Sequence, residues 1–158
     1  MNFKQLLKFY RYAGAWENYT LLWRVVSSAW LVRRRIKEQA ITPKLKAILP
    51  FIDEVMVECF LVPQKRWHLS DAKKIAWFAN FMVNFPFRWG RCLQRSLIVY
   101  RLLNGYGMPS NLYIGVNQQD ATADGHVWVV RVCDNGLAFA EDSEPSEKYT
   151  ILYRSTLP

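Results

Sequence analysis

The sequence lacks the motifs that mark several large enzyme classes. Its 158 residues contain no glycine-rich phosphate loop, no dinucleotide-binding glycine fingerprint and no internal repeat. It has only two histidines and three cysteines, with no Cys-x-x-Cys or His-x-x-x-His spacing, so we expect neither a metal site nor a bound cofactor. These absences argue against nucleotide-dependent and metal-dependent chemistry and direct attention to nucleophilic side chains.

Long apolar runs are also missing. Met1 is followed by Asn-Phe-Lys-Gln, and Arg24 and the pair Ser27-Ser28 interrupt the longest apolar pattern. We therefore expect neither an export signal nor a membrane-spanning helix. An odd number of cysteines without an export signal indicates reduced thiols and a cytoplasmic location. The composition, 51% apolar and 15% aromatic, is that of a globular protein.

The excess positive charge is concentrated in the first part of the chain. Residues 1–91 contain 16 Lys/Arg and 6 Asp/Glu, whereas residues 92–158 contain 5 and 7, within a total formal charge of +8. A basic surface of this kind could meet an acidic protein or peptide, an anionic membrane or nucleic acid. A solvated basic helix face is the simpler alternative.

Apolar periodicity places helices first and strands afterwards. Three- and four-residue steps predict helices over residues 3–40, 51–62, 70–82 and 91–103, the third of them capped by Ser70. After Pro109 the period changes to two, which predicts strands over residues 112–116, 127–133, 137–140 and 149–153. Asp134-Asn135-Gly136 is typical of a hairpin turn between the second and third strands. This order predicts an α+β fold.

Tryptophans recur every seven residues in the first helix, at Trp16, Trp23 and Trp30, and arginines follow at 33–35. This spacing places the rings on one stripe of the helix. Such a stripe could rest on a membrane surface or bind a partner helix, but we favour packing against the rest of the chain.

Cys92 and His126 are the residues best suited to chemistry. Cys92 lies in the first turn of its predicted helix, where unpaired backbone N–H groups and the helix dipole lower a thiol pKa and could bind an oxyanion. Arg91 and Arg95 add positive charge nearby. His126 begins a predicted strand, and a helix-start cysteine paired with a strand-start histidine favours nucleophilic catalysis.

A third group should orient the imidazole, and three acids are candidates. If the hairpin has a three-residue loop, Asp142 lies on the face of His126 and Glu141 points to the opposite face. A two-residue loop brings Glu141 to the histidine's face instead, and Glu144 is the third candidate. We favour Asp142 and keep Glu141 as the alternative.

The other cysteines and the other histidine are poorer candidates. Cys133 is seven residues from His126 along one predicted strand, roughly 23 Å away and on the opposite face. Cys59 falls in an apolar stretch and is expected to pack in the core. His68 has no acidic or cysteine neighbour, so we expect it to be structural or exposed.

Three ordered segments resemble the motifs of the lasso-peptide B-type processing proteins, which are microcin-processing leader peptidases of the transglutaminase-like superfamily. They are Arg91-Cys92-Leu93-Gln94-Arg95-Ser96-Leu97 with the following Gly105-Tyr106-Gly107-Met108-Pro109, Leu112-Tyr113-Ile114-Gly115-Val116, and Gly125-His126-Val127-Trp128-Val129. The resemblance covers about residues 86–145. It departs from the family at Val127, where alanine is usual, and in a longer segment between the histidine strand and the acid.

The resemblance implies a papain/transglutaminase-like core over residues 66–158, with its nucleophile helix packed on an antiparallel sheet, behind a helical N-terminal extension over residues 1–65. It implies a triad of Cys92, His126 and Asp142. The implied activity is cysteine-dependent removal of the leader from a ribosomally made precursor, a step in antibiotic biosynthesis.

The implied partners are the precursor's leader, a separate leader-recognition protein of winged-helix type and an ATP-dependent macrolactam synthetase. Nucleic acid is not among them, and a peripheral membrane contact stays open. Two alternatives to the peptidase are an acyltransferase that uses the same pair and a non-catalytic module that docks on a peptide or membrane.

Overall fold

The computed structural model describes residues 16–39, 69–84, 92–117, 124–134, 137–139, 141 and 145–155. In these residues three helices precede a three-stranded antiparallel sheet, so the chain is an α+β protein, as predicted. The elements are α1 (Trp16–Gln39), α2 (Leu69–Asn84), α3 (Cys92–Gly105), β1 (Ser110–Asn117), β2 (Asp124–Arg131) and β3 (Thr150–Arg154), with short 3-10 turns at Val132–Asp134 and Pro145–Glu147.

One apolar core joins all three helices to the sheet. It takes residues at three- and four-residue steps from each helix and alternate residues from β1 and β2, as amphipathic elements require. Its most deeply buried members include Val25, Ile75, Phe78, Leu97 and Leu112. The division into domains at residues 65 and 66 falls outside the described residues and stays a prediction, as does the helix over residues 51–62.

The end of α3 shows how the sequence stops a helix and starts a strand. Gly107 has a φ of 71°, a left-handed conformation that favours glycine. The N–H groups of Gly107 and Met108 return to carbonyls in the last helical turn, which is the usual way of satisfying them. The buried side chain of Asn104 bonds to both the N–H and the C=O of Ser110. Helix α3 and strand β1 are therefore joined rigidly.

The sheet has the order β2-β1-β3, and its two faces differ. Leu112 and Ile114 of β1 pair with Val129 and Val127 of β2, and all four belong to the core shared with the helices. Strand side chains alternate between faces, so His126, between Gly125 and Val127, projects from the other face.

The predicted hairpin after β2 is wrong in its register and its length. β2 ends at Arg131, and a 3-10 turn occupies the next three residues. Residues 137–139 contribute one bridge, in which Ala138 pairs with Val130, instead of a strand. The expected pairing of Cys133 with Leu137 would have put Val132 opposite Ala138, so the observed register differs by two residues. The reason is that the 3-10 turn lengthens the connection.

The expectation that the tryptophan stripe packs on the rest of the chain is also wrong for two of its members. Trp23 is 72% exposed and Trp30 is 57% exposed, and Arg34 lies over the Trp30 ring. The opposite side of α1, including Val25, is fully buried. In the described part of the chain, no helix is both long enough and apolar enough to cross a membrane.

Candidate active site

Cys92 is the first residue of α3 and is partly buried beside the start of β2. Its Sγ lies 3.9 Å from the carbonyl oxygen of Gly125. Burial is the largest single influence on this thiol and opposes its ionisation. Hydrogen bonds from His126 and from the backbone at Val127 and Leu93, together with the charge of His126, outweigh burial and lower the pKa of Cys92. The side chain is therefore suited to act as a thiolate nucleophile.

His126 is the third residue of β2 and lies next to both Cys92 and Glu141. Its Nε2 lies 3.7 Å from Oε2 of Glu141. The hydrogen bond with Cys92, followed by that with Glu141, raises the pKa of His126 to about 9 against the opposing effect of burial. The contact lowers the pKa of Cys92 and raises that of His126, so it favours a thiolate next to an imidazolium, the form that a cysteine nucleophile needs.

Glu141 is the acid that the structure places against the imidazole. Its carboxylate is 13% exposed; one oxygen faces His126, and the other accepts a hydrogen bond from Arg95 Nη2. The three-residue-loop argument had pointed Glu141 away from His126, and it fails because the ladder on which it depended is not formed. Asp142 and Glu144 lie outside the described residues, so their suggested roles stay predictions.

Ser96 ties the nucleophile helix to the histidine strand. Its Oγ donates a 2.6 Å hydrogen bond to the carbonyl of Val127, the residue after His126, and the side chain is buried. Ser96 follows Cys92 by four residues, so both lie on the same face of α3. This bond fixes how far the thiol stands from the imidazole.

Two aromatic rings pack against the imidazole and against each other. Tyr149 stacks on His126 with ring centroids 5.1 Å apart, Trp128 stacks at 5.9 Å, and the Tyr149 and Trp128 centroids are 6.4 Å apart. Trp128 in turn lies against Gly115, where an added Cβ would approach its ring within 2.9 Å. Gly115 is also the β1 residue paired with His126, so the ring stack requires a residue without a side chain at position 115.

A polar cavity of about 460 Å³ adjoins the site. Tyr149 is shared between the cavity wall and the stack on His126, and the other lining residues are Asn117, Ser146, Glu147, Lys148, Thr150 and Ile151. The Tyr149 ring therefore lies between this cavity and His126.

Sequence reasoning missed the roles of Ser96 and Tyr149 and the partner of Arg95. Only Trp128 carried a sequence signal, since it lies two residues from His126 and hence on the same strand face. Cys133 is exposed and contacts Arg131, and no described contact joins it to the site. Cys59 and His68 lie outside the described residues. Among the residues that are described, no cluster of three His, Cys, Asp or Glu side chains could hold a metal ion.

Comparison with known proteins gives one family. A family model described as the transglutaminase-like superfamily matches residues 56–154, well over half of the chain, and that range includes α2, α3 and the whole sheet. Neither the curated proteins nor the solved structures include a significant match to the sequence or the fold.

Proposed function

The chain belongs to the transglutaminase-like superfamily, and from this membership and the site geometry we propose that it is a cysteine peptidase that removes the leader from a lasso-peptide precursor. The observation that carries the proposal is the position of Cys92, at the start of α3, beside the segment of β2 that holds His126, with Sγ 3.9 Å from the carbonyl oxygen of Gly125. Members of this superfamily are commonly cysteine peptidases or acyltransferases, and both use such a pair.

In the proposed reaction, the Cys92 thiolate attacks the carbonyl carbon of the peptide bond between leader and core. The backbone N–H groups at the start of α3 stabilise the oxyanion that forms. His126 gives its proton to the leaving nitrogen, and the C–N bond breaks to leave a thioester. Water, deprotonated by His126, then attacks the thioester and releases the leader's carboxylate and the Cys92 thiol.

We assign the orienting role to Glu141, because its carboxylate contacts the imidazole. A carboxylate in this position holds the ring in one orientation and stabilises its protonated form. Asp142 remains the competing assignment from the sequence resemblance.

The proposed substrate class, a lasso-peptide precursor, rests on the resemblance of the sequence motifs. The motifs around Cys92 and His126 resemble, in the same order, those of the lasso-peptide B-type proteins. On this basis we propose a cytoplasmic enzyme that receives its substrate from a separate leader-recognition protein and passes the core peptide to an ATP-dependent macrolactam synthetase. The exposed Trp23, Trp30 and Arg34 provide a surface for the recognition protein, since aromatic and arginine side chains dominate protein interfaces.

The test uses the precursor peptide and recognition protein whose genes neighbour that of this chain. We expect wild-type protein to release the leader, Cys92→Ala to release none, and the matched variant Cys133→Ala to behave as wild type. Mass spectrometry of the products gives the readout. Retained cleavage by Cys92→Ala, or a gene neighbourhood without any precursor peptide, would contradict the assignment.

An acyltransferase is the second candidate, since the same thioester can be attacked by an amine instead of water. The two reactions differ in product mass, because hydrolysis adds one water and transamidation adds the amine acceptor instead. If Cys92 proved inert toward iodoacetamide at neutral pH while the protein still bound the recognition protein or anionic liposomes, a non-catalytic docking module would replace both enzymatic proposals.

A further inference from the structure

Glu141 has an unusual position for a residue that must orient another side chain. It lies outside the helices and strands, so its own backbone does not hold it in a regular element. Its carboxylate is nevertheless 13% exposed and makes two contacts, to His126 through Oε2 and to Arg95 through Oε1. Something other than local backbone structure must therefore fix the carboxylate.

Arg95 is placed to do this. It lies in the first turn of α3, three residues after Cys92, and reaches Glu141 across 46 residues of sequence. A guanidinium is planar, permanently charged and directional in its hydrogen bonds, so it holds a carboxylate in one orientation better than an ammonium does. The Arg95 side chain is 23% exposed, so water competes only partly for the pair.

We infer that Arg95 is a positioning residue that anchors Glu141 to the nucleophile helix and thereby orients His126 toward Cys92. The inference rests on the proposed function and deepens it. The side chains of Cys92, His126, Glu141 and Arg95 then form a closed ring of contacts, and the first and last of them lie on the same turn of α3. The ring and the Ser96–Val127 hydrogen bond are two independent ties between this helix and the histidine.

The contact with Arg95 occupies Oε1 of Glu141 and leaves Oε2 directed at His126. Glu141 therefore presents one defined oxygen to the imidazole. The other charged or titratable groups that the described residues place near His126 are Tyr149, stacked on its ring, and Lys148, over the Tyr149 ring.

The test is a double-mutant cycle with the alkylation rate of Cys92 by iodoacetamide at pH 6 as the readout, followed by mass spectrometry of the Cys92 peptide. Arg95→Met should slow alkylation about tenfold, which corresponds to about one unit in the thiol pKa. Glu141→Gln should slow it by a similar factor. Because Arg95 acts through Glu141, the double variant should be no more than about threefold slower than Glu141→Gln alone.

The conservative variant separates charge from orientation. Arg95→Lys keeps the charge but loses the planar guanidinium, so we expect its alkylation rate to lie between those of Arg95→Met and the wild type. When Glu141→Gln is also present, Arg95→Lys and Arg95→Met should react at the same rate. If Arg95→Met does not fold, Arg95→Lys alone and Arg95→Lys combined with Glu141→Gln complete the cycle. Arg101→Met, on the same helix, is the matched control and should leave the rate unchanged.

If the rate losses of Arg95→Met and Glu141→Gln multiply in the double variant, the inference is overturned, because the arginine then acts independently of the carboxylate. This outcome is separable from failure of the proposed function. If Cys92→Ala abolishes cleavage while the cycle is additive in free energy, only the role of Arg95 fails. If Cys92→Ala still cleaves, the peptidase proposal fails whatever the cycle shows.

Discussion

Ser96 Oγ and the carbonyl oxygen of Val127 are 2.6 Å apart, and this buried hydrogen bond joins the helix of the nucleophile to the strand of the histidine. Neither residue takes part in the proposed chemistry. Each lies next to one that does, since Ser96 is one turn after Cys92 and Val127 follows His126. The bond therefore sets the spacing of the reacting pair through the backbone.

Replacing Ser96 with alanine should weaken both the fold and the activity. The Val127 carbonyl would lose its buried donor, which costs roughly 1–3 kcal/mol. We expect a lower unfolding temperature and slower cleavage of the precursor, measured by thermal denaturation and by product mass. Ser27→Ala is the control, because the Ser27 hydroxyl bonds to an exposed helical carbonyl. Equal stability of the two variants would show that the buried bond contributes little.

Removing the imidazole should raise the pKa of Cys92. The hydrogen bond and charge of His126 lower this pKa, whereas burial alone raises it. In His126→Ala the thiolate should therefore form only at higher pH, and alkylation by iodoacetamide at pH 7 should slow at least about tenfold. The exposed Cys133 provides an internal reference in the same sample. An unchanged pH profile for Cys92 would contradict the pairing of the two side chains.

The alkaline limit of cleavage should distinguish Glu141 from Asp142. The pKa of His126 is about 9, so the proton needed by the leaving group is lost as the pH rises through that value, and the cleavage rate should fall there. The contact with Glu141 raises this pKa. Glu141→Gln should consequently move the alkaline limit toward neutral pH and lower kcat, and Asp142→Asn should leave both unchanged. The reverse result would assign the orienting role to Asp142.

Gly115→Ala should disturb the site without touching a reacting group. A Cβ there would lie 2.9 Å from the Trp128 ring and 3.0 Å from a backbone oxygen of Thr150. Crowding of this kind costs about 1–3 kcal/mol, and it should displace the ring stacked on His126. We expect lower stability and slower cleavage. Gly125→Ala is the matched control for stability, since its nearest neighbour would be 4.0 Å away.

The outer face of α1 should be dispensable for folding. In the double variant Trp23→Ala/Trp30→Ala, each substitution should change the unfolding free energy by no more than about 0.5 kcal/mol, because both rings are exposed. Leu21→Ala, on the buried face, should cost about 2–5 kcal/mol. Chemical denaturation measures both. A large loss in the double tryptophan variant would mean that the rings stabilise the folded chain.

The sequence predicted the described helices and the elements that hold Cys92 and His126 because these depend on local patterns. The helix predicted over residues 91–103 runs from Cys92 to Gly105. The strand with His126 was also found, with its end placed two residues too late. The superfamily suggested by the motifs is the one that the family comparison gives.

The orienting acid could not be chosen from sequence, since its identity depends on where β2 ends. Beyond the 3-10 turn at Val132–Asp134 the pairing is reduced to one bridge, between Val130 and Ala138, so strand alternation does not decide where Glu141 points. The sequence contains no local signal for this turn. The contact between Arg95 and Glu141 was equally hidden, because 46 residues separate them and each has the composition of an ordinary surface side chain.

The placement of Cys92 at the very start of α3 has a practical consequence. Under the proposed function, a synthetic leader–core peptide with a vinyl sulfone at the junction would be captured by the Cys92 thiolate through a thioether. The peptide residues next to Cys92 in the trapped complex would then report the substrate preference directly. Covalent capture would in this way turn the proposed nucleophile into a means of identifying its substrate.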